Sequence, residues 1–280
     1  MDMELIQRPF GIYEKAIKPQ EWEKMFADAS SAGYQNYEIS LDESDARLAR
    51  LHWDDKQYEE VRRAARNQNI RILSACFSGH RRFPLGSSSR ELEERGIRMM
   101  REGIDFCQNL GVRMQVAGYD AFYEPRSHET AARYRENILR CLEWAEQAGV
   151  MLAIEPVEVN LVKVSDTLRL VKEADSPWLQ IYPDVANMKS LGIDPVTELP
   201  QGRGHIANVH VRDSLPDYFY GVPLGAGNMD FIGVFKALDA MEYRGPLTIE
   251  MWNETEDNYL DIIRCARTFM MDKIRCARCS

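Results

Sequence analysis

Short apolar runs alternate with longer stretches in which apolar residues recur every three or four positions. A run of the first kind reads as a buried strand and one of the second as an amphipathic helix. Residues 10–13 precede a helical pattern over 19–32, residues 37–40 precede one over 54–67, 70–77 precede 90–109, and 112–117 precede 128–148. Pro19 suits a helix start, and Gly33, Gly111 and Gly149 suit helix ends. The second half keeps the beat: 150–154 leads to 165–173, 179–182 to a shorter segment near Pro195, 206–211 to 231–241, and 246–251 to 257–273. Eight such units in 280 residues predict an α/β fold, a single (β/α)8 TIM barrel over residues 1–280, close to the ~250 residues usual for that architecture. Residues 274–280 read as an irregular tail. An open doubly wound sheet fits less well, because no G-x-G-x-x-G follows the first strand.

In such a barrel the working residues stand at the C-terminal ends of the strands. Four apolar runs end on the same kind of chemistry: 151–154 on Glu155, 179–183 on Asp184, 206–209 on His210, and 247–249 on Glu250. Any one of these alone reads as a helix cap, a surface ion pair or a hydrogen-bonded core histidine. Together they place three carboxylates in one mouth, where they repel one another unless a cation neutralises them. Three oxygen donors and one nitrogen suit one divalent metal ion such as Mn²⁺, Co²⁺ or Zn²⁺.

Other polar residues fall at the same end. Lys15 follows the first strand, Ser40, Asp42 and Glu43 the second, His80, Arg81 and Arg82 the third, and Tyr119 and Asp120 the fourth. The segment from Ser78 to Ser87 has adjacent cations leading into a helix. It reads either as a holder for a dianionic phosphate or as a solvated loop with surface ion pairs. Between the seventh and eighth strands, Gly225 and Gly227 permit close backbone approach, and Asp230 reads as a helix cap.

Composition narrows the function classes. The chain is 45% hydrophobic and 28% charged, with 35 Lys and Arg against 44 Asp and Glu, a net charge of −9. That balance opposes general nucleic-acid binding, and no stretch approaches the ~20 apolar residues of a membrane span. The first ten residues lack the basic start and apolar run of a signal peptide, and six scattered cysteines suit reduced thiols, so a cytoplasmic setting is expected. Cys276 and Cys279 form a C-x-x-C with no nearby partners for a zinc or redox site.

Gly11-Ile12-Tyr13-Glu14-Lys15-Ala16, His80-Arg81-Arg82-Phe83-Pro84-Leu85-Gly86-Ser87, Ala117-Gly118-Tyr119-Asp120, Tyr182-Pro183-Asp184 and Ile249-Glu250-Met251-Trp252 carry a resemblance over nearly the whole chain. The sequence resembles the L-ribulose-5-phosphate 3-epimerases, also called L-xylulose-5-phosphate 3-epimerases, within the xylose-isomerase-like sugar-phosphate isomerase and epimerase barrels. The resemblance implies that Glu155, Asp184, His210 and Glu250 bind the metal and that Glu155 and Glu250 are the catalytic acid/base pair. Lys15, His80, Arg81, Arg82, Ser87, Tyr119, Asn187 and Arg212 are the candidates for substrate or phosphate binding. Asn187 stands where the broader superfamily often has histidine, and the segment after Glu155, Pro156 to Asn160, also departs from the relatives.

The implied reaction is inversion at C3 of a ketopentose 5-phosphate through a metal-stabilised cis-enediolate. The expected partner is a small sugar phosphate, with a homodimer expected and neither nucleic acid nor membrane. Alternatives are a 3-epimerase or aldose–ketose isomerase acting on a free sugar or a hexulose 6-phosphate. More remote are an endonuclease IV-like enzyme, poorly served by five histidines and an acidic surface, and a non-catalytic sugar sensor.

Overall fold

A computed structural model describes residues 10–117, 120–157, 161–216, 218 and 221–279. Eight strands appear in the predicted order: β1 (Phe10–Tyr13), β2 (Asn36–Ser40), β3 (Arg71–Phe77), β4 (Arg113–Ala117), β5 (Leu152–Glu155), β6 (Leu179–Ile181), β7 (Val209–Val211) and β8 (Leu247–Ile249). All paired neighbours are parallel, in the order β6-β5-β4-β3-β2-β1-β8-β7. The ring closes between β6 and β7 through bridges at Ile181 with Ile206 and Asp184 with His210. The closing bonds include Ala207 N–H to Ile181 O at 2.8 Å and His210 N–H to Pro183 O at 2.9 Å. The fold is the expected TIM barrel.

Ten α-helices of varied length are described: α1 (Trp22–Ser31), α2 (Asp45–Leu48), α3 (Asp55–Asn67), α4 (Arg90–Leu110), α5 (His128–Ala148), α6 (Val164–Ala174), α7 (Val185–Ser190), α8 (Pro195–Glu198), α9 (Phe231–Ala240) and α10 (Tyr259–Cys279). Local chemistry sets their ends. Asp54 and Gln57 form a reciprocal capping box on α3, and Ser127 and Thr130 form one on α5. Gly111 and Gly149 close α4 and α5 at φ 69° and 67°, in the left-handed region that glycine enters without penalty. Pro19 lies ahead of α1 rather than in it. No helix among the described residues is long and apolar enough to cross a membrane.

Strands of a barrel are buried on both faces. In β2 all five residues are buried, yet polar Asn36, Glu38 and Ser40 alternate with Tyr37 and Ile39. Tyr37 turns outward and meets Phe26 of α1 edge-on at 4.9 Å. Glu38 turns inward, bonding Ser74 of β3 at 2.5 Å and Tyr182, just past β6, at 2.6 Å. The barrel interior is therefore apolar toward the helices and hydrogen-bonded along its axis.

One expectation is corrected and another extended. The tail read as irregular is helical through Cys279, because Ile274 continues the buried row Ile263, Ala266 and Met270 at helical spacing. The chain after β6 forms α7 as well as the short segment near Pro195, since Asp184 caps α7 by accepting from Ala186 N–H at 2.7 Å and Asn187 N–H at 3.2 Å.

Candidate metal centre and active site

The four predicted ligands converge. Glu155 ends β5, Asp184 follows β6, His210 lies within β7 and Glu250 follows β8, so each reaches the barrel mouth from its own strand. Each is buried, and one ligand atom from each lies within 4.8 Å of all the others.

His210 is oriented from behind. Its Nε2 lies 2.6 Å from Glu38 Oε1, and Glu38 Oε2 accepts from Ser74 and Tyr182. Tyr182 in turn accepts from Asn208 Nδ2 at 2.6 Å, and Asn208 also donates to Thr248 at 2.9 Å. Burial works to raise the Glu38 carboxyl, but the His210 charge and these hydrogen bonds outweigh it and hold Glu38 below its ordinary pKa. The ionised carboxylate therefore accepts a hydrogen bond from Nε2–H, which fixes the ring. Nδ1 then faces the cluster with no hydrogen-bond partner, 3.8 Å from Glu155 and 4.0 Å from Glu250. Two ligands each ~2.1 Å from one ion lie about 3–4 Å apart, so an orphaned imidazole nitrogen at these separations fits a divalent cation.

The carboxylates have protein partners on their outer side. Arg212 Nε contacts Asp184 Oδ2 at 2.6 Å and Glu250 Oε2 at 2.8 Å, and its Nη2 donates to Asn187 Oδ1 at 2.6 Å. Asn187 Nδ2 donates to Glu155 Oε1 at 2.8 Å. A chain of bonds thus runs from Glu155 through Asn187 and Arg212 to Glu250. Burial raises the Asp184 pKa and Glu250 adds to that, against the opposing guanidinium. Burial disfavours charge on His210, but Glu38 and Glu250 prevail and raise its pKa well above the ordinary value. With His210 paired to Glu38, one guanidinium is left against three buried carboxylates, an electrostatic demand that a divalent cation would meet.

The phosphate candidates are dispersed. His80 is buried with its ring 4.4 Å from Phe77, and burial pushes its pKa down to about 4, so it is a neutral core residue and not a cation for phosphate. Ser87 donates to Glu124 at 2.5 Å. Arg81 lies 3.5 Å from Glu43 and over the Phe122 ring at 5.3 Å; Arg82 bonds the Glu43 carbonyl at 2.9 Å and Asp45 at 2.7 Å. Lys15 pairs with Asp42, which Arg47 also contacts. The loop is therefore pre-paired with acids rather than assembled as an anion pocket. Arg212 and Asn187 bond the carboxylates of the candidate metal cluster. Tyr119 lies outside the described residues.

A cavity of about 620 Å³ opens beside the cluster, sharing Glu250 and Arg212 with it and walled by Leu224, Trp252 and Phe269. Arg212 lies 5.2 Å from the Trp252 ring, which fixes the guanidinium between cavity and cluster.

The sequence and the fold are similar to those of known proteins. A family model described as "Xylose isomerase-like TIM barrel" matches residues 26–269. The chain belongs to that family. Curated relatives include L-ribulose-5-phosphate 3-epimerase UlaE of Salmonella paratyphi A, 40% identical over 255 residues and 90% of each chain. The same-named protein of Salmonella typhimurium is 39% identical over 274 residues, covering 97% of this chain and 96% of the relative. Solved structures of similar fold include an L-ribulose 3-epimerase, at 21% identity and TM-score 0.77 over 97% of this chain and 96% of that one. A D-psicose 3-epimerase in the presence of D-fructose aligns with TM-score 0.75 at 16% identity, over 97% of each chain. The structural likeness shows the shared barrel; the sequence relatives place this family member among isomerase-class enzymes.

Glu38 is the site residue the sequence reading passed over. Its signal was the polar–apolar alternation of 36–40, which in a strand buried on both faces means a carboxylate pointing into the barrel interior.

Proposed function

We propose that the protein is a metal-dependent 3-epimerase of a ketopentose 5-phosphate, L-ribulose 5-phosphate or L-xylulose 5-phosphate. The observation that carries this reading is the convergence of Glu155 and Glu250 on one four-ligand cluster, in a chain 39% identical over 97% of its length to a curated epimerase of that substrate.

Glu155, Asp184, His210 and Glu250 would hold the ion. A divalent cation there supplies Lewis acidity, stabilising the charge that builds on the C2 and C3 oxygens when C3 loses its proton. The protein supplies the proton transfers. Glu155 and Glu250 come from β5 and β8, on different sides of the ring. One carboxylate removes the C3 proton from one face; the other, protonated, delivers a proton to the opposite face and inverts the centre. Asn187 and Arg212 hold the two glutamates in place by the bonds described above. Trp252 and the cavity wall help exclude water from the exchange.

The phosphate group falls to Arg81 and Arg82 in this reading. Their partly exposed ion pairs with Glu43 and Asp45 are worth only ~0–1 kcal/mol each, so a dianion can displace them. Incubation of either pentulose phosphate with metal in D₂O is expected to give C3 inversion with deuterium at C3. Absence of both sinks the function. Arg81→Ala with Arg82→Ala is expected to raise KM for the phosphorylated ketose about tenfold while leaving a free ketose unaffected.

A further inference from the structure

The loop after β7 hangs from one carboxylate. Asp213 is buried, and its two oxygens accept four backbone N–H groups: Oδ1 from Ser214 at 3.0 Å and Met229 at 3.2 Å, Oδ2 from Gly225 at 2.8 Å and Gly227 at 3.1 Å. Asn228 N–H adds a bond to Ser214 O at 3.0 Å. The fit leaves no room for a side chain, since a Cβ on Gly227 would stand 2.1 Å from Asp213 Oδ1 and 2.4 Å from Ser214 O. The glycines that permit close approach here are thus matched to this carboxylate.

The location gives the arrangement its consequence. His210 and Arg212 enter the metal cluster, while Asp213, next in the chain, turns to the loop instead. The portion of that loop from Gly221 to Leu224 walls the 620 Å³ cavity, which Glu250, Arg212 and Trp252 line on the side of the cluster and α10 lines through Asp261, Cys265 and Phe269. The end of β7 therefore ties the cage and the cavity wall to the same few ångströms of backbone.

We propose that Asp213 is a positioning residue that fixes this wall against the metal cluster, and so sets how firmly the ketose is held beside the acid/base pair. The proposal rests on the reading of the cluster and cavity as the active site. Bonds to an ionised acceptor are roughly twice as strong as neutral ones. An asparagine would turn an NH₂ group toward backbone donors and release half of the anchor. The cage has its own supports through Glu38, Asn187 and Arg212, so it stays in place when the wall loosens.

Asp213→Asn and Gly227→Ala test this by two routes, one through charge and one through space. Both are expected to speed hydrogen exchange at the Gly225, Gly227 and Met229 amides at least about tenfold, with Mn²⁺ affinity held within about threefold of wild type. KM should rise on the order of tenfold with kcat within about threefold, measured on whichever ketose, phosphorylated or free, the wild type turns over. Unchanged exchange overturns the anchor. Faster exchange with unchanged KM overturns the link to substrate, and loss of Mn²⁺ binding shows that Asp213 serves the cage instead. If Asp213→Asn does not fold, Gly227→Ala decides. Wild-type inactivity on every ketose sinks the functional reading separately, and the anchor then stands or falls on exchange and Mn²⁺ affinity alone.

Discussion

Glu38 shows how much one side chain decides at this site. It fixes the His210 ring and is itself held by Ser74 and Tyr182, a buried carboxylate behind the imidazole of the candidate metal site. Glu38→Gln keeps the shape but presents an amide in place of a strong acceptor. The expected result is a 10–100-fold loss of metal affinity, measured by calorimetry with Mn²⁺. His80 makes a different prediction. Its folded pKa of about 4 is depressed below the ~6.5 of an exposed histidine, so the unfolded chain binds a proton that the folded one refuses. Stability from this residue is full above pH ~6.5 and is lost as pH falls toward 4. Urea unfolding at pH 7 and pH 5 should show wild type losing about 2 kcal/mol more than His80→Leu; equal losses would refute the assignment.

Individual elements carry both stability and chemistry. Helix α7 starts from Asp184, so one carboxylate offers Oδ1 to the helix N-terminus and Oδ2 to Arg212 at the cluster. A candidate ligand that also caps a helix is held in one rotamer whether or not an ion is bound. Helix α10 extends through Cys279, and its last buried residue, Ile274, packs in the row with Met270 and Ala266. Ile274→Ala is expected to destabilise the protein by about 2–4 kcal/mol, read from denaturant midpoints. A change within ~0.5 kcal/mol would mean that the final turns contribute nothing to the core. Cys276 and Cys279 lie exposed on those same turns.

The barrel closes where the candidate site lies. Between β6 and β7 the sheet has only isolated bridges in place of a continuous ladder, and one of them joins Asp184 to His210. An ion held by those two residues, Glu155 and Glu250 would clamp the seam from four strands and offset three buried negative charges. Chelation should therefore lower the melting temperature, and readdition of Mn²⁺, Co²⁺ or Zn²⁺ should restore it. At a hundredfold excess over Kd the linkage is worth ~2.7 kcal/mol. A melting temperature indifferent to chelator and metal would argue against a resident ion. The net charge of −9 gains local meaning from this, since part of it faces inward.

The alternation of apolar runs and helical stretches determined the barrel, because each strand must be buried on both faces and each helix on one. Placing the chemistry at strand ends then brought out Glu155, Asp184, His210 and Glu250, which need only the architecture to meet. The sequence could not show what Lys15, His80, Arg81, Arg82 and Ser87 face. Whether a basic loop grips an anion depends on which carboxylates fold back on it, and here Asp42, Glu43 and Glu124 do so from neighbouring loops and Asp45 from the start of α2. Glu38 was legible as alternation in β2 but gained its role only when ring closure set it against His210, 172 residues away. Local periodicity fixes what is buried. Pairing between distant charges is decided by tertiary structure, because Coulomb and hydrogen-bond energies act over a few ångströms of space regardless of separation along the chain.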